Sequence, residues 1–151
     1  MTVTLDEYAD LRTMPGDRRL FKLLRAFDWS AGGRRFRIPA GFVTDLASIP
    51  DAAGFFMTNN DPRILRAALP HDWLYQYRGS PPESGALFSR ADADMILREG
   101  MAVCGAGWFA RWTVWFHVRL YGAFAWKPAN AQMRALELRH RIRQSDRQPT
   151  E

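Results

Sequence analysis

The sequence contains a short segment whose residue types can do acid-base and metal chemistry, His71-Asp72-Trp73-Leu74-Tyr75. Successive residues of a helix are rotated by about 100°, so His71 and Asp72 leave the backbone in different directions. Tyr75 lies one turn beyond His71 and three residues beyond Asp72, so all three side chains can border one pocket. That arrangement suits a general base beside a metal-binding carboxylate. In the structural alternative, His71 and Tyr75 are half-buried and hydrogen-bonded, whereas Asp72 is solvated.

Two further aspartates, Asp45 and Asp94, are of the right type to complete such a site. A carboxylate on one nitrogen of a neutral imidazole selects its tautomer and stabilises the cation that forms when the ring takes a proton. Carboxylates and loop carbonyls are also the oxygen ligands that calcium prefers. Each aspartate has a structural alternative as well. Asp45 can form an Asx-turn or a helix cap, and Asp94 can pair at i, i+4 spacing with Arg90 or Arg98.

Alternating apolar residues predict a β-hairpin upstream of the motif. Residues 20–29 form the first strand, with Phe21, Leu23, Phe27 and Trp29 on one face. Residues 30–33 form a four-residue loop, and residues 34–38 form the returning strand. The segment 39–50 is bounded by prolines at both ends, so it is a short strand followed by a loop or a structured loop throughout.

Helices follow the hairpin. Asp61 is expected to cap a helix whose first residue is Pro62, and Pro70 is expected to kink or break that helix directly before the motif. Ser89 is expected to cap the next helix, which glycines at 105 and 107 end. Residues 108–126 read as a buried or surface-bound aromatic helix, and residues 132–143 as a last, largely exposed helix. Arginines on the aromatic helix can pack over its indole rings.

Composition limits the classes of protein. The 151 residues fit one domain, predicted to span 1–143 with a flexible tail at 144–151. The fold class is therefore α+β, a small antiparallel hairpin sheet packed on three to five helices. The hydrophobic fraction of 47% and the 6 Trp and 10 Phe exclude a largely disordered chain. Cys104 is the sole cysteine, which excludes an intramolecular disulfide and a paired-cysteine zinc site.

Charge and hydropathy limit the kinds of partner that the protein is expected to bind. The net charge is +5, but the arginines are scattered rather than gathered into a stripe, so specific nucleic-acid binding is not expected. No signal peptide is visible at the N-terminus. The aromatic segment contains Arg111, His117 and Arg119. Because a charge at bilayer depth costs roughly 3 kcal/mol, no transmembrane segment is expected. Association with a membrane surface remains open for this helix.

Three blocks of the sequence together resemble the domain-of-unknown-function 1353 family of tailed bacteriophages and prophages. They are residues 39–50 (PAGFVTDLASIP), residues 71–75 (HDWLY) and residues 90–97 (RADADMIL), and residues 118–122 (VRLYG) form a weaker fourth block. The resemblance covers roughly residues 20 to 125. It implies a phage protein in the host cytoplasm or the virion, with phage virion proteins or the host envelope as partners.

The pattern His-Asp-x-x-Tyr, followed by an Asp on a second helix, is also similar to secreted phospholipase A2 enzymes. That similarity implies that His71 is a base activating water and that Asp94 orients it while accepting a hydrogen bond from Tyr75.

The same similarity implies a Ca²⁺ ion bound by Asp72, by Asp45 and by the backbone carbonyl of Leu46. The phospholipases are usually stabilised by disulfides and have a glycine-rich loop near the metal. Neither feature is present here, where residues 44–50 contain no glycine.

Two functions follow as hypotheses. The first is a metal-assisted hydrolase of ester or amide bonds of the host envelope, built on His71, Asp94 and Tyr75. The second is a non-enzymatic virion or assembly protein that docks through its aromatic helix and basic tail. In geometric terms, the first predicts that Asp94 faces the imidazole of His71 and that Asp45 faces Asp72.

Overall fold

The computed structural model describes residues 1–46, 62–82 and 85–126. The strands in chain order are β1 (Val3–Leu5), β2 (Leu11–Met14), β3 (Asp17–Leu23), β4 (Phe27–Ala31), β5 (Arg34–Ile38) and β6 (Val43–Thr44). The helices are α1 (Pro62–Gln76), α2 (Arg90–Val103) and α3 (Trp108–Tyr121), and a 3-10 turn at Gly122–Phe124 follows α3. The α+β class is confirmed, with three α-helices among the described residues.

The strands form two antiparallel three-stranded sheets rather than one hairpin sheet. One sheet has the order β1-β4-β5 and the other has the order β2-β3-β6. The single strand expected over residues 20–29 is therefore wrong, because the chain leaves one sheet after Leu23 and enters the other at Phe27. At this crossing Leu24 N–H bonds the carbonyl of Asp10, and the guanidinium of Arg25 pairs with the Asp10 carboxylate. These contacts extend the pairing of β3 with the chain before β2 by one residue, up to the point where the chain leaves this sheet.

The face predicted for residues 20–29 is nevertheless the buried one. Leu23, Phe27 and Trp29 are buried, and Phe21 is half-buried against the same core. The burial persists because the break leaves the alternation of side chains in phase across the two strands.

The hairpin that joins β4 to β5 is tighter than expected. Ala31 pairs directly with Arg34, so the loop is Gly32-Gly33 alone rather than four residues. Both glycines have positive φ, 58° and 80°, as a two-residue hairpin turn requires.

Pro70 lies inside α1, which runs without a break from Pro62 to Gln76. Of the kink or break expected before His71, the break is therefore absent. Proline removes one backbone hydrogen bond, but the helix buries Ala68 and Leu69 before that position and Trp73 and Leu74 after it. Tertiary packing outweighs the local cost.

Close packing of α1 on α2 sets the distance between the two helices that carry the motif residues. Gly100 of α2 has no side chain, and a Cβ there would lie 3.2 Å from the Cβ of Ala67 and 3.3 Å from Cδ1 of Leu5. The helices therefore approach closely at this crossing, with β1 beside them.

The start of α2 is as the sequence predicts. The Ser89 side chain accepts a hydrogen bond from the backbone N–H of Asp92, and the Asp92 carboxylate accepts one from the backbone N–H of Ser89. This reciprocal cap fixes the first turn of α2, one turn before Asp94. The cap proposed at Asp61 and the helix predicted over residues 132–143 lie outside the described residues. None of the helices in the described part of the chain is long and apolar enough to cross a membrane.

Candidate functional site

Asp94 lies at the centre of a buried cluster contributed by all three helices. Its side chain is 0% exposed, and its two oxygens face different partners. Oδ1 accepts a hydrogen bond from the Tyr75 hydroxyl at 2.5 Å and lies 3.3 Å from Nε2 of His71. Oδ2 pairs with Arg119 at 2.8 Å and, more weakly, with Arg90 at 3.5 Å. We call these five residues the Asp94 cluster.

Helix α1 presents His71 and Tyr75 to Asp94 from the same side. They are one turn apart, their ring centroids lie 4.2 Å apart, and both side chains are almost fully buried. Asp94 therefore faces the imidazole of His71, as the sequence predicts. Asp94 also pairs with Arg90 at i, i+4 spacing, which was its structural alternative. Asp94 therefore makes both the contact of the structural alternative and the contact of the site hypothesis.

The other nitrogen of His71 faces its neighbour in sequence. Nδ1 of His71 lies 3.2 Å from Oδ1 of Asp72, and Oδ2 of Asp72 accepts a hydrogen bond of 2.5 Å from the Thr44 hydroxyl. The Thr44 hydroxyl in turn accepts a hydrogen bond from the backbone N–H of Leu46 at 2.9 Å. Asp72 is 5% exposed, so the expectation that it is solvated is wrong. Its carboxylate turns inward because the hydroxyl on β6 and the imidazole both bind it there.

The two carboxylates decide the protonation of His71. An ionised carboxylate only accepts hydrogen bonds, so an imidazole between Asp72 and Asp94 satisfies both only when both of its nitrogens carry protons. Burial lowers the pKa of His71, but the hydrogen bonds and charges of Asp72 and Asp94 outweigh this effect and raise the pKa above 6.5. The two carboxylates therefore favour the imidazolium form of the ring.

The partners of Asp94 have the complementary effect. Burial raises the pKa of Asp94, but hydrogen bonds from His71, Tyr75 and Arg119 outweigh it and hold the pKa below its usual value. Burial, followed by the hydrogen bond to Asp94, raises the pKa of the Tyr75 hydroxyl well above its usual range. Tyr75 therefore stays protonated and donates to the carboxylate at any physiological pH.

Gly122, in the 3-10 turn after α3, lets the chain pass directly over Tyr75. A Cβ at this position would collide with the Tyr75 hydroxyl. On the other side the Tyr75 ring meets Trp126 edge-on, with centroids 4.9 Å apart. The hydroxyl that bonds Asp94 thus lies against the chain at Gly122.

The residues proposed as metal ligands lie at the end of β6 and on α1. Asp45 is half-buried, and Leu46 is buried with a positive φ of 52°. Their donor type, carboxylate and carbonyl oxygen, suits calcium. Both Asp72 oxygens, however, already face protein groups, so an ion would have to share them with, or replace, Thr44 and His71. In the described part of the chain, no group of three or more His, Cys, Asp or Glu side chains is arranged to hold a metal.

Two side chains of this site, Thr44 and Arg119, are not predicted as site residues from the sequence. Arg90, by contrast, is predicted as an i, i+4 partner of Asp94, and the pair is present. Thr44 directly precedes Asp45 in the distinctive 39–50 segment, which was the available signal. Arg119 lies in the weaker block at residues 118–122, but only the packing of α3 on α2 brings its side chain to Asp94.

Residues 21–118 match the model of a family described as protein of unknown function, DUF1353. The chain belongs to this family. The match spans well over half of the 151 residues and includes most of the site, from Thr44 through Asp94. Arg119 and Gly122 follow immediately after it. No curated protein and no solved structure matches the chain.

Proposed function

We propose that this DUF1353 protein is a phage-encoded hydrolase of ester or amide bonds in the host envelope, with His71 as its general base. The observation that carries the proposal is the contact of Asp94 with both Nε2 of His71 and the hydroxyl of Tyr75. A buried carboxylate on one imidazole nitrogen orients the ring and stabilises the cation formed when the other nitrogen takes a proton. Arg119 and Tyr75 hold that carboxylate in place.

The remaining nitrogen, Nδ1, would be the one that accepts a proton from water. In the resting state it faces Asp72, so Asp72 must give up this hydrogen bond and the ring must lose a proton before Nδ1 can act. Asp72, Asp45 and the Leu46 carbonyl are the residues that would hold a calcium ion. Bound there, calcium would supply Lewis-acid stabilisation of the developing oxyanion.

The raised pKa of His71 predicts the pH dependence of this activity. A base must be neutral to act, so kcat/KM should rise with pH through a pKa above 6.5. A rate that falls as the pH increases through that region would contradict His71 as the base. Suitable substrates are phospholipid vesicles for ester bonds and purified peptidoglycan for amide bonds.

Two variants test the site with matched controls. His71→Gln should abolish hydrolysis, whereas His117→Gln, on half-buried His117 of α3, should leave it unchanged. Calcium should raise the melting temperature of the wild type, and Asp72→Asn should remove this shift. Unchanged hydrolysis by His71→Gln, or the absence of hydrolysis from both substrates, would refute the proposal.

A second candidate is a non-enzymatic virion or assembly protein. It is favoured by the engagement of both His71 nitrogens with carboxylates, which suits a structural ion pair, and by the exposed aromatic residues of α3. Under this candidate the chain would be present in purified particles at a fixed stoichiometry, and His71→Ala would impair folding or assembly. Hydrolysis of either substrate by the wild type would argue against it.

A further inference from the structure

Helix α3 exposes a row of apolar side chains, each one turn beyond the last: Trp108, Trp112, Phe116 and Leu120. These four side chains are 66%, 38%, 59% and 54% exposed, respectively, whereas Val114, on the opposite side of the helix, is buried in the core. We call these four residues the aromatic row. Phe124, in the turn that follows, is 82% exposed. A continuous apolar surface of this kind indicates an interaction site rather than scattered surface residues.

The charged side chains of α3 itself are arginines. Residues 100–126 contain Arg111 and Arg119 and no Asp or Glu, and Arg119 is paired with Asp94 of α2. The guanidinium of Arg98, from α2, lies 4.4 Å from the ring centroid of Trp112, so a further cation borders the row, although Arg98 also pairs with Glu99. The whole chain carries +5. These charges complement an anionic surface and would repel a second copy of the same face.

We propose that the aromatic row docks on an anionic lipid bilayer, with α3 lying in the headgroup region. Helices that bind in this way combine Trp, Phe and Leu on one face with arginine at the edges, and their affinity depends on both apolar burial and anionic lipid. A helix of 14 residues is about 21 Å long, so it can lie along the surface. The row is on a convex helix face rather than in a groove, which suits a planar partner.

Docking at this helix would bring the bilayer next to the Asp94 cluster, since Arg119 of α3 is bonded to Asp94. The docking proposal itself needs no catalysis. Its test is therefore made in EDTA, where any calcium-dependent step is absent, and its outcome is independent of the hydrolase assay.

The test is sedimentation of the full chain with phosphatidylglycerol vesicles and with phosphatidylcholine vesicles. The protein should pellet with the anionic vesicles, pellet less as salt is raised, and show a blue shift of its Trp emission. Phe116→Ser combined with Leu120→Ser should reduce the partition coefficient by about tenfold or more. Full burial of one such side chain contributes about that factor, and Phe116 and Leu120 each have only slightly more than half of their surface left to bury, 59% and 54%.

The matched control carries Leu24→Ser and Leu87→Ser, which remove two exposed apolar side chains elsewhere on the protein. It should bind vesicles as the wild type does, and far-UV circular dichroism should show that both double variants are folded. Wild-type protein that stays in the supernatant with anionic vesicles would overturn the proposal. Equal loss of binding in the control would also overturn it. Concentration-dependent dimerisation that the Phe116/Leu120 variant abolishes, without vesicle binding, would assign the row to a protein partner instead.

Discussion

Replacing Asp94 with Asn should destabilise the protein because Asp94 is the counter-charge for three cations. The substitution keeps the shape of the side chain but removes the charge that faces His71, Arg90 and Arg119. Loss of one partner from a buried ion pair costs about 3–5 kcal/mol. The arginines are 23% and 32% exposed, so water screens part of the loss, and the expected decrease in the free energy of unfolding is about 3 kcal/mol.

The assay is urea unfolding near pH 6, followed by Trp fluorescence and far-UV circular dichroism. With a slope of about 2 kcal/mol per molar urea, the midpoint should fall by about 1–2 M. Asp92→Asn is the matched control, because Asp92 is on the same helix but belongs to the exposed cap. It should cost about 1 kcal/mol or less.

The pH dependence gives a second test of the same substitution. The folded-state pKa of His71 is raised, so its contribution to stability is fully present below 6.5 and is lost as pH rises through the raised pKa. The difference between wild type and Asp94→Asn should therefore shrink as the pH rises above 6.5 and through the raised pKa of His71. A cost below about 1 kcal/mol near pH 6, or a difference that grows with pH, would show that Asp94 does not hold a charged His71.

Other substitutions probe separate contacts. Tyr75→Phe removes a hydrogen bond to a charged acceptor and should cost about 1.5–3 kcal/mol in urea unfolding; an unchanged midpoint would mean that the bond is not formed. Gly122→Ala should lower the melting temperature and cost about 1–3 kcal/mol because its Cβ meets the Tyr75 hydroxyl, whereas Gly107→Ala has open space and should be close to neutral. Ser89→Ala removes the cap of α2 and should cost about 1 kcal/mol; no loss of stability would indicate that the cap is dispensable. Below pH 3.8 the contribution of Asp94 should be lost as pH falls through its lowered pKa, so acid unfolding of the wild type should include a step that Asp94→Asn lacks.

Several elements could be predicted from the sequence because they depend on residues that are close together in the chain. The cap at Ser89 and Asp92 depends on atoms three residues apart, and the buried face of residues 20–29 depends on strict alternation. The approach of Asp94 to His71 was also predicted, but through similarity to another enzyme class. No local rule relates two residues on different helices.

Non-local packing decided the rest of the fold. Whether Pro70 breaks α1 depended on the burial of the helix around it. The division of strands between two sheets depended on pairing with strands that are distant in sequence, β4 with β1 and β3 with β6. Such contacts compete with local propensity and outweigh it, because they involve groups that the local sequence does not bring together.

The sequence by itself determined the residue types of the site: one imidazole, two flanking carboxylates and a phenol at helical spacing. Only the tertiary structure decided which groups contact the two nitrogens of that imidazole and in which direction its pKa is shifted. By placing Thr44 against Asp72 and Arg119 against Asp94, the fold turns both carboxylates onto the two nitrogens of His71. A pKa depends on burial and on every charge within a few ångströms, so it belongs to the packed arrangement and not to the order of residues along the chain.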